Sequence, residues 1–125
     1  MKNDLISIPD LDFEYKLWKN RIDFYIREIK LFKARLSSLK IEYELVVDEE
    51  MELLRELARN VEAILREIKL QEEGIACFSD DYPINRHHAH YLSHKALQQK
   101  KNNLSMDFLK LIKKIESRFS SYLYK

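Results

Sequence analysis

The chain has 125 residues, 46% of them apolar and 34% charged, with a formal net charge of +1. That balance is too apolar for a disordered chain and too charged for a membrane protein, and it exerts no general pull on polyanions. One Gly and two Pro are too few for the turns of a sheet protein, so the composition points to a nearly all-helical chain.

Cys77 is the only cysteine, which excludes an intrachain disulfide and makes a reducing, cytoplasmic interior the expectation. The N-terminal residues carry no apolar run of signal-peptide length, and no segment approaches a membrane span of ~20 apolar residues.

Residues 1–10 read as a short arm, in which Leu5, Ile6 and Ile8 either pack on a bundle end or fray. Asp10 is the expected N-cap of a first helix over about 11–46, with Asp12 and Glu14 suiting its positive end. Tyr15, Trp18, Ile22, Tyr25, Ile29, Phe32, Leu36, Leu39, Tyr43 and Val46 fall alternately three and four residues apart. A strict 3.5-residue period marks a long helix with one seam for partner helices. At ~1.5 Å per residue this helix is ~50 Å long and must be sheathed by others. Leu17, Phe24 and Leu31 recur at seven-residue intervals off that seam. They either widen the face buried within the chain or form a second face for another copy of it.

Val46 and Val47, both β-branched, precede Asp48, the expected N-cap of a second helix over about 49–78. Its seam is Leu54, Leu57, Val61, Ile64, Ile68, Ile75 and Phe78, with Met51, Ala58 and Leu65 alongside and Gln71 interrupting. Residues 79–85 form the one clear loop.

A third helix is expected over about 86–123. Its second half is regular, with Leu104, Phe108, Leu111, Ile115 and Tyr122 on the seam and Ile112 and Phe119 beside it. Its first half places His87, His90, His94, Leu97 and Lys101 there, and the polar run through Asn102 and Asn103 leaves a break open. Matched helix lengths and short connections favour one unbroken helix and an all-α fold: three long helices, up-down-up and antiparallel, with coiled-coil-like heptad packing in one domain over 11–125.

Charge supports that order. Residues 48–81 hold 11 acids and 4 bases, a net −7, while 82–125 hold 2 acids and 9 bases, a net +7. Opposite signs select neighbours, although each exposed pair contributes only ~0.2–1 kcal/mol.

Chemistry is scarce. One Gly excludes the phosphate-binding loops, no nucleophile sits in a catalytic context, and Cys77 reads as a small buried apolar residue. An enzyme is not expected, nor a resident cofactor. His87, His90 and His94 share one side of a helix, and Glu72, Glu73, Cys77, Asp80 and Asp81 lie near that end. Such a set suits zinc or nickel, set against a polar bundle end in which histidines stack on aromatics such as Trp18. Lys95, Lys100, Lys101, Lys110, Lys113, Lys114 and Arg118 either face a polyanion or are neutralised by the acidic second helix. The favoured expectation is a structural or interaction module that assembles with its own copies or another helical protein. Metal binding comes second and polyanion binding third, with nucleic acid and membrane disfavoured.

Overall fold

The computed structural model describes residues 5–76, 84–85 and 89–123, and within them three long helices account for nearly every residue. Helix α1 spans Ile8–Tyr43, α2 Asp48–Ile75 and α3 Ala89–Leu123. The exception is a two-residue antiparallel pairing, Leu5 opposite Asn85 and Ile6 opposite Ile84, which joins the N-terminal arm to the α2–α3 connection.

Helix α1 begins three residues before its expected start. Ser7, not Asp10, is the N-cap, and its hydroxyl accepts from the Asp10 N–H at 3.2 Å. Pro9 falls in the first turn, where its missing N–H removes no helical hydrogen bond, so it admits the helix instead of blocking it. Ile8 and Leu11 are thereby buried.

The seam from Tyr15 to Leu39 is buried as its spacing predicts. It stops there. Glu44 adopts φ 56°, ψ 31°, the left-handed geometry that closes a helix, here without glycine. Val46, expected on the seam, lies past this turn and is exposed, while Tyr43, the last helical residue, is 41% exposed yet still meets the Tyr122 ring. Val47 is buried in their place.

Asp48 is the first helical residue of α2 rather than its cap. Val47 occupies the cap position with no side-chain hydrogen bond. Asp48, Glu49 and Glu50 all sit in the first turn, against the positive helix end. Leu54, Leu57, Val61, Ile64, Ile68 and Ile75 are buried, while Phe78 lies outside the described residues. Helix α3 runs unbroken through Asn102 and Asn103. Its buried set is His94, Leu97, Leu104, Phe108, Leu111, Ile115 and Phe119.

Cross-helix pairs give the packing order. Lys19 meets Glu72 at 2.9 Å and Lys40 meets Asp48 at 3.8 Å, so positions ascending α1 descend α2. Lys100 meets Glu67 and Lys114 meets Glu49, each at 2.9 Å, in the same opposed sense between α2 and α3. Helices α1 and α3 meet through rings: Trp18 on His94, Tyr25 on Phe108 at 4.4 Å, Tyr43 on Tyr122 at 4.9 Å. No helix among the described residues is long and apolar enough to cross a membrane.

Candidate functional site

Two features stand out from this frame. The first is a buried polar cluster at the end of the bundle where α1 and α3 begin. His94 is only 1% exposed. Its ring stacks on Trp18 at 4.8 Å and 9° between planes, and Tyr15 closes edge-on at 5.4 Å. His94 Nδ1 lies 3.2 Å from the Tyr15 hydroxyl and Nε2 lies 2.7 Å from Glu14 Oε2.

A carboxylate only accepts, so the proton belongs on Nε2, and Nδ1 then accepts from the Tyr15 hydroxyl. One neutral imidazole thus faces both neighbours, bonding the Tyr15 hydroxyl and approaching the Glu14 carboxylate. The Glu14 contact is close but oblique, for Oε2 is buried without a well-aligned hydrogen bond. Burial pushes the His94 imidazole below its ordinary range, against the opposing pull of Glu14 and with a smaller push from Lys95. Burial, followed by the negative charge of Glu14 and Glu72, pushes the Tyr15 phenol well above its ordinary value. Both groups are held neutral at pH 7.

This geometry bears on the metal reading. Both ring nitrogens of His94 already face partners in the chain, so a metal would have to displace Glu14 or Tyr15. His87, Cys77, Asp80 and Asp81 lie outside the described residues, as does the side chain of His90. Glu72 is engaged by Lys19. Among the described residues no group of three His, Cys, Asp or Glu converges on one point.

Three of the third-helix cations meet acids of α2: Lys100 with Glu67, Lys114 with Glu49 and Arg118 with Glu50. Two more lie over rings, Lys95 over Tyr91 and Lys101 over Trp18. Lys110 and Lys114 line an open groove of about 300 Å³ between α2 and α3, shared with Glu56 and Asp107. Acids are thus interleaved with the bases, and the local field is mixed in sign.

The second feature is the strip on α1. Leu17, Phe24 and Leu31 are 50%, 40% and 42% exposed. Phe24 meets the Phe108 ring edge-on, with centroids 6.3 Å apart. The strip therefore borders α3 without being covered by it.

Sequence reasoning missed three residues that the fold makes important. Glu14 and Tyr15 were read as helix-end charge and seam, not as partners of His94. Glu50, 1% exposed, is a buried carboxylate held by Arg118 Nη1, while Arg118 Nη2 donates to the Val46 carbonyl at 3.0 Å. The signal was present: Glu50 stands four residues before Leu54, on the α2 seam itself.

No family model, curated protein or solved structure matches the chain.

Proposed function

We propose that the protein is a non-catalytic cytoplasmic structural module that works as a homo-oligomer through the outer face of α1. The observation that carries this reading is the row Leu17, Phe24 and Leu31, each half-exposed and seven residues from the next. Burying a Leu or Phe fully is worth ~1.5–3 kcal/mol. Half of that from three residues, counted on both chains, is enough to offset much of the entropy of association. The polar groups of the His94 cluster, beside the Leu17 end of the strip, are turned inward on one another, which suits holding α3 on α1 better than meeting a ligand.

Light scattering on a size-exclusion column tests the reading. Wild type should elute as an oligomer. The variant with Leu17, Phe24 and Leu31 all changed to Glu should be a folded monomer with unchanged helix content. A wild type that stays monomeric at high concentration refutes the proposal.

A further inference from the structure

The charges beside the strip specify which copy it meets and how. Along the α3 side of Leu17, Phe24 and Leu31 run Glu14, Arg21, Glu28 and Arg35, at seven-residue spacing and alternating in sign. Arg21 is exposed and the other three are half-exposed. Arg21 and Glu28 form no ion pair among the described residues, so their charges are open to a partner. On the other side of the strip lie Phe13, Asn20, Arg27 and Ala34, also seven apart.

Two α1 helices placed antiparallel, with a two-fold axis through Phe24, bring Leu17 opposite Leu31 of the second copy and Phe24 opposite itself. In this arrangement like flanks meet like flanks. Glu14 comes level with Arg35 of the second copy, and Arg21 with Glu28, each to within ~1.5 Å along the axis. The two-fold repeats each match, giving four pairs of opposite charge. On the other flank Phe13 meets Ala34 and Asn20 meets Arg27, with no like charges opposed. A single surface is complementary to itself, which is the requirement for an isologous dimer.

We infer that the protein forms a two-fold antiparallel dimer through α1, centred on Phe24 and registered by Arg21–Glu28 pairs between copies, with Arg35 level with the Glu14 that already faces His94 within its own chain. This rests on the oligomer reading and adds to it the partner, the direction and the register. An antiparallel pair also explains why the charges alternate. A one-signed row would repel its own copy in that orientation.

Charge reversal reads the register. Arg21→Glu and Glu28→Arg singly each turn two attractive contacts repulsive and should raise the dimer Kd about tenfold. The double variant exchanges the signs and should return to within about threefold of wild type. Both positions are outside the core, and circular dichroism should show all three variants equally helical. Cross-linking in a Cys77→Ser background gives a second measure. A cysteine at position 24 should oxidise to a covalent dimer. A cysteine at 17 or 31 alone should not, since each lies ~21 Å from its own copy, while the two variants mixed should cross-link.

A double variant that binds as weakly as the single ones overturns the register while leaving the oligomer reading standing. Efficient self-linking at all three positions shows a parallel pair and overturns the antiparallel inference in the same way. A monomeric wild type overturns both.

Discussion

Arg118 is the natural place to perturb this fold, because one side chain joins three elements. Its guanidinium holds the buried Glu50 carboxylate in the first turn of α2 and bonds the Val46 carbonyl in the α1–α2 turn. It does so from the last turns of α3. Glu50 Oε1 has no hydrogen-bond partner, and among the described residues Arg118 is the one cation paired with that carboxylate. Removing one partner of a buried pair costs ~3–5 kcal/mol. Arg118 itself is 46% exposed, and solvent screens its share, so Arg118→Ala should cost roughly 2–3 kcal/mol. For a domain of this size that lowers the melting temperature by roughly 6–15 °C. Arg118→Lys keeps the charge but loses the fork to Val46, and should fall between the two. Glu50→Leu with Arg118→Met replaces the pair by apolar groups and should recover most of the loss, because neither charge then needs to be desolvated. Urea denaturation of the four proteins measures this. If Arg118→Ala lies within ~0.5 kcal/mol of wild type, Glu50 is solvated and the buried-pair account is wrong.

Two further outcomes follow from the core. Ile29 is 2% exposed in the middle of the α1 seam, so Ile29→Asp buries an unpaired charge and should cost more than ~4 kcal/mol; a nearly unchanged melting temperature would show the register to be wrong. His94 is depressed below its ordinary value by burial, so the unfolded chain takes up the proton first as pH falls. Its contribution is complete above about pH 6.5 and is lost as the pH drops toward the folded value. Wild type should therefore melt lower at pH 5 than at pH 7.5, His94→Phe should flatten that dependence, and zinc at neutral pH should move neither. An unchanged slope in His94→Phe would place the titration elsewhere.

The long stretches of this fold were readable because a heptad repeat constrains every residue in it. From Tyr15 to Leu39 the spacing alone identifies the buried face. The ends were not readable, because they depend on single contacts. Ser7 outcompetes Asp10 as cap because the helix can start ahead of Pro9. Glu44 closes α1 in a left-handed conformation that glycine would have advertised. Glu50 shows the limit of a hydrophobicity pattern: it sits on the seam, yet its acid type hides it until the partner on α3 is known. His94 was visible as part of a cluster, and its stacking on Trp18 was one of the arrangements weighed. Its engagement by Glu14 and Tyr15 depends on the axial alignment of α1 with α3, some eighty residues apart in sequence, which no local pattern encodes.

Trp18 is the only tryptophan in the chain, and it sits in the joint where α3 lies on α1, stacked on His94 and overlaid by Lys101. Its emission therefore samples that joint alone. Backbone ellipticity, by contrast, averages all three helices. Comparing the two signals separates release of α3 from melting of the α1–α2 hairpin, a distinction most bundles yield only after labels are introduced. The stack thus gives the molecule an intrinsic optical probe at the contact that closes its three-helix core.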